Sequence, residues 1–146
     1  MSMRVLGIFR FLIALLAVAA VAPAHADEWK PTWTPEDSKQ VLILARQARS
    51  LFSDNLNDYS SARFRDSHGA WSSNKAGRHS YLICGKMNSK NGFGGYTGWQ
   101  DFVVVQMQGQ IALFTDPQSI LDFCTEMTPI TLVINNGIDF SPALRP

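Results

Sequence analysis

The chain has 146 residues with 13 lysines and arginines against 12 aspartates and glutamates, close to neutral and 46% hydrophobic. That length suits one domain with a core of useful size, and the near balance of charge gives no reason to expect nucleic acid or an anionic membrane as partner.

The first 26 residues read as an export signal. Arg4 and Arg10 supply a positive start, Phe11 to Val21 is an almost unbroken apolar run, and Ala24-His25-Ala26 offers small residues for a peptidase. The run is short for the roughly 20 residues a membrane-spanning helix needs. Cleavage after Ala26 would leave 120 residues and 11 basic against 12 acidic side chains. The expected product is periplasmic or secreted, with no membrane span after cleavage and no lipid-attachment cysteine.

Residues 27–34 form a polar, extended lead-in, and a single domain is expected over 35–146. Thr34-Pro35-Glu36-Asp37 is a helix start, with a hydroxyl cap, a first-turn proline and acids at the positive helix end. Val41, Leu42, Leu44, Ala45, Ala48, Leu51 and Phe52 extend it to about residue 52 as a core-facing stripe. Ser53 to Ser61 is turn-forming. "SARFRD" and "GAW" then predict a strand, Asn74 to Gly77 a turn, and residues 78–87 a second strand. "WQDFVVVQM" (99–107) is the strongest strand, and the Gln108-Gly109-Gln110 turn leads into "IALFT" (111–115). Short polar connections predict an antiparallel meander. Asp116-Pro117 opens a second helix carrying Ile120, Leu121, Phe123, Cys124 and Met127. "ITLVI" (130–134) suggests a last strand, and the final prolines a loose tail. The class is α+β: an antiparallel meander of about four strands, with the N-terminal and second helices packed on one face.

Two cysteines in an exported chain favour a Cys84–Cys124 disulfide. The competing reading makes Cys84 a nucleophile with His79 or His68 as base, helped by the basic stretch nearby. Between Arg63 and Lys90 lie six basic residues (Arg63, Arg65, Lys75, Arg78, Lys86, Lys90) and one acid, Asp66. They are either solvated strand faces or a patch for an anionic ligand.

The stretch "CGKMNSKNGFGGYTGW" (84–99) carries five glycines. It lacks the spacing of a dinucleotide fingerprint, since Thr97 stands where glycine is needed, and it lacks the ending of a P-loop. Asn91-Gly92 is a turn signal. Phe93, Tyr96 and Trp99 either pack back to anchor the loop or stay exposed to stack on sugars or peptide side chains. The candidate contact residues are Asn88, Lys90, Asn91, Phe93, Tyr96, Trp99, Lys86, Arg63 and Arg65. Asp66, His68 and His79 could hold a metal, but two histidines and a carboxylate on flexible spacing arise often by chance, and no serine lies in a Gly-x-Ser-x-Gly frame. No metal and no cofactor is expected, and no catalytic group beyond the Cys84–His79 alternative.

Residues 60–66, "SSARFRD", followed by 83–104, "ICGKMNSKNGFGGYTGWQDFVV", resemble a family of small exported bacterial proteins without an assigned activity. The likeness rests on Cys84, Gly85, Asn88, Lys90, Asn91, Gly94, Gly95, Tyr96 and Gly98. It departs at Met87, where valine is usual, and at Trp99, where phenylalanine is commoner. The resemblance implies one exported domain in which this loop matters, and it brings no catalytic residues. The leading expectation is therefore a non-enzymatic binding module for a protein, peptide or glycan outside the cytoplasm. The alternatives are the thiol enzyme and an inhibitor of a cell-wall or secreted hydrolase.

Overall fold

The computed structural model describes residues 32–73, 79–125, 131–135 and 137–146, with His79, Thr131 and Leu132 described in backbone alone. The expected signal, the start of the lead-in, the 74–77 turn and Met127 lie outside them. Helix α1 (Pro35–Asn55) begins as its sequence demands. The Thr34 hydroxyl accepts from the Asp37 amide at 3.2 Å, and the Thr34 amide donates to the Asp37 carboxylate at 2.7 Å. This reciprocal cap satisfies backbone donors that the first turn leaves unpaired. The helix ends at Leu56, whose backbone is extended.

Five strands follow: β1 (Arg63–Ser73), β2 (His79–Asn88), β3 (Gln100–Met107), β4 (Gln110–Phe114) and β5 (Thr131–Asn135). They form one antiparallel sheet in the order β4-β3-β2-β1-β5. The α+β class and the four-strand meander therefore stand, with β5 added beside β1. Helix α2 (Pro117–Cys124) precedes β5, and the short α3 (Ser141–Leu144) closes the chain.

The helices do not share a face, which corrects the expected one-sided packing. Ile83, Met87, Phe102 and Val104 face α1, where Val41, Leu44 and Phe52 cover them. Leu82, Cys84, Val103 and Val105 face the other way, towards Ile120, Phe123 and Cys124 of α2. Successive strand side chains alternate between faces. Three consecutive valines in β3 are thus buried because both faces are covered, not because the strand is irregular. The expected loose tail is corrected as well. Phe140, Ser141 and Leu144 are buried against the α1 layer, while Arg49 Nε donates to the Ala143 carbonyl at 2.9 Å and the Tyr59 hydroxyl to that of Leu144 at 2.6 Å.

Tyr81 ties β2 to the start of α1, its hydroxyl donating to Asp37 at 2.9 Å. Burial first, and then this hydrogen bond, push the phenol up from its ordinary 10.0 to about 12. The fold thus favours the neutral phenol, so its contribution is full below pH 10 and is lost as pH climbs towards 12. Denaturant midpoints measured across that window should fall for the wild type. Tyr81→Phe should flatten that fall, and an unchanged slope would remove Tyr81 as its source.

Candidate functional site

The corner that gathers the candidate residues is built by a fault in β1. Phe64 points to the α1 layer and Arg63 and Arg65 to the opposite side, exposed. The register then slips between Arg65 and His68, and Asp66 takes a left-handed backbone at φ 54. This β-bulge inserts one residue, after which Ser67 is buried and Ala70 faces the α2 layer. Aspartate tolerates that conformation better than most side chains. The bulge lets Phe64 keep its place in one core and Ala70 in the other, with both arginines in solvent.

The 89–99 loop is closed by its own polar groups. The Asn91 side-chain oxygen accepts from the amides of Phe93 at 3.0 Å and Gly95 at 3.1 Å, and the Asn88 oxygen accepts from Gly98 at 3.1 Å. The Asn91 amide donates to Gly95 O at 2.8 Å, and Thr97 reaches Ser89 O through both its amide and its hydroxyl. Lys90 bridges Tyr96 across the base. Gly94 at φ 82 and Gly98 at φ 92 lie where side chains are strained, so these two glycines are required by the backbone path. The asparagines singled out as contact residues therefore brace the loop through their carbonyl oxygens.

The aromatics behave differently from one another. Tyr96 and Trp99 do not enter the core: the Arg63 guanidinium lies 4.6 Å from the Tyr96 ring centre and that of Arg65 4.2 Å from Trp99. Lys90 Nζ lies 5.7 Å from the same tyrosine ring, and the tyrosine hydroxyl donates to Ser61 O at 3.3 Å. Both rings remain about two-fifths exposed, at 40% and 39%. Phe93, at the tip, is 100% exposed and anchors nothing. Cations over ring faces hold β1 to the loop and fix where the guanidinium edges point.

Across the sheet, Arg65 stands opposite Lys86, and Lys86 opposite Asp101. Lys86 Nζ contacts the Asp101 carboxylate at 2.6 Å, whereas Asp66 meets Arg65 only at Nε, at 3.5 Å. Asp58, below the loop, is held under its usual 3.8 by the Ser60 hydroxyl first and then by Ser61, with a smaller pull from Lys90. Beside β1, β5 pairs only from Gly69 to Ser73, so residues 63–65 form an edge among the described strands. A groove of about 400 Å³ lies at that edge, lined by Ala62, Arg63, Phe64, Trp99 and Arg145. Sequence reading misses Arg145, which reaches the corner because α3 docks into the core. It also misses a hollow of about 510 Å³ between Asp101 and the α2 residues Ile120 and Leu121. Neither carries a local signal, since each depends on a contact distant in sequence.

The thiol alternative loses its nucleophile. Cys84 is buried and bonded to Cys124, with Cα atoms 6.0 Å apart, so its sulfur carries no thiolate. His68 is its register partner on β1, and the side chain of His79 lies outside what is described. Among the described residues no three or more metal-ligating side chains cluster, and no helix is long and apolar enough to cross a membrane. Comparison with protein-family models, with curated proteins and with solved structures finds no match to this chain.

Proposed function

We propose that the chain is an exported, non-enzymatic binding module whose contact surface is the 88–99 loop together with Arg63, Arg65 and Lys86. The observation that carries this reading is the pairing of a rigid loop, its Phe93 wholly in water, with two guanidiniums stacked on half-exposed rings. An aromatic held out by a braced loop contributes nothing to its own core, whereas a partner that buries it gains about 1.5–3 kcal/mol. Arginines and aromatics are also the side chains that dominate contact energies. The apolar-run leader and the Cys84–Cys124 bridge support export, because such bridges persist in oxidising compartments.

A second reading is favoured by the loop's shape alone. A loop pre-organised by its own hydrogen bonds and carrying one fully exposed aromatic suits insertion into a cleft, as an inhibitor of a cell-wall or secreted hydrolase would require.

A photo-crosslinking phenylalanine analogue at position 93, in the full chain expressed in its own host, tests both. The expected result is a discrete adduct that Tyr96→Ala combined with Trp99→Ala removes. The same analogue at Arg46, exposed on α1, should give none. Equal adducts at both positions, or none at 93, would overturn the module. Adduct peptides that map to a hydrolase's active cleft would select the inhibitor reading.

A further inference from the structure

We infer that the contact surface takes an anionic polysaccharide, its acid groups seated along Arg145, Arg63 and Arg65 towards Lys86 and its sugar rings against Trp99 and Tyr96. This deepens the binding-module reading and rests on it. The first support is electrostatic. Like charges directly opposite one another on a sheet are destabilising, and Arg65 faces Lys86 in register. Asp101 answers Lys86, but Asp66 answers Arg65 only weakly, and among the described residues Arg63 is in no ion pair. An oxyanion between these side chains supplies the counter-charge that Arg63 has in no ion pair among the described residues and that Arg65 has only at 3.5 Å, and a planar guanidinium grips carboxylate or sulfate in a fork.

The second support is the shape of the surface. The groove beside β1 is lined by Arg63 and Arg145 together with Trp99. Trp99 and Tyr96 each keep part of their surface in solvent next to a cation. Alternation of charge and flat apolar surface matches a chain of acidic sugars, whose rings have apolar faces that stack on aromatics and whose substituents carry the charge. An acidic peptide would use the charges and leave the rings idle. Neutral glycans would use the rings and leave the arginines unanswered.

The test titrates the full mature chain with polygalacturonate, dextran sulfate, polyglutamate and uncharged dextran at low salt, by calorimetry. Binding to one or both acidic glycans is expected, weakening as salt screens the exposed charges. The carboxylated and sulfated arms identify which oxyanion is preferred. Arg63→Gln combined with Arg65→Gln should weaken binding by at least about tenfold, the factor that corresponds to losing ~1.4 kcal/mol. Trp99→Ala should weaken glycan binding as well, and Arg46→Gln on α1 should leave it unchanged. The substituted side chains are exposed, and a single cooperative unfolding transition in each variant will verify that it folds. Polyglutamate bound as tightly as the acidic glycans, no loss with Trp99→Ala, or equal loss with Arg46→Gln would overturn the assignment. So would no binding to any polymer. Should the position-93 adduct persist in that last case, the binding module stands and only the polysaccharide is removed.

Discussion

Replacing Cys84 and Cys124 together by alanine should lower the free energy of unfolding by about 4 kcal/mol, the chain-entropy value for a bridge closing a loop of some forty residues. The sulfur of Cys84 is also buried in the α2-side core, so the double variant loses packing in addition to the link. With an ordinary denaturant sensitivity for a chain of this size, the urea midpoint should fall by about 2–3 M. Wild type in strong reductant should approach the variant. A variant as resistant to urea as the oxidised wild type would show that the bridge constrains nothing. The same samples bear on chemistry: the native protein should not react with a thiol reagent before reduction. Fast labelling of Cys84 in the folded, unreduced chain would return it to consideration as a nucleophile.

Phe102→Ala should cost a similar amount, about 3–5 kcal/mol, because it empties a large volume in a core that cannot collapse around it. The ring is fully buried and meets Phe52 edge-on at 5.2 Å and Phe64 at 5.9 Å. Phe52 and Phe64 touch each other at 4.8 Å, so the three rings brace α1, β1 and β3 against one another. Against a typical stability of about 5–15 kcal/mol, either substitution removes a large fraction of the margin. Trp99→Ala, three residues earlier but exposed, should lower the free energy of unfolding by no more than about 0.5 kcal/mol beyond its lost contact with Arg65. A small effect of Phe102→Ala would mean that α1 and the sheet are held by something other than this aromatic cluster.

What could be read without coordinates was whatever local chemistry dictates. Thr34 and Asp116 announce their helices because a side-chain oxygen followed by proline has few other uses, and both caps form. The valine run of β3 was legible for the same reason, whereas the cysteine pairing, 40 residues apart, was legible from an even cysteine count in a chain expected to be exported. The sidedness of the helices was not. With apolar residues on both faces of β2 and β3, periodicity gives no direction, and only the separate partners of Val103 and Val104 reveal two layers. The tail misleads because its prolines suggest looseness, while Phe140 and Leu144 find a place only once α1 has laid out a surface. At the candidate site, the types were readable and the roles were not. Asn88 and Asn91 looked like ligand contacts and hold the loop, whereas Tyr96 and Trp99 rest under arginines seen in sequence only as scattered charge.

The extra residue in β1 separates two kinds of change that the strand can undergo. Because Asp66 resets which side of the sheet each later residue meets, the segment before it and the segment after it are keyed to different cores and answer to each other through a single backbone twist. Substituting Arg63 or Arg65 alters the charge that the corner presents and leaves that keying alone. Deleting or adding one residue between them and Gly69 would turn every following side chain over, sending Ala70 and Trp71 to the wrong layers. The strand is thus free to vary in spelling and fixed in length, so the surface chemistry of the corner changes by exchange of side chains and not by insertion.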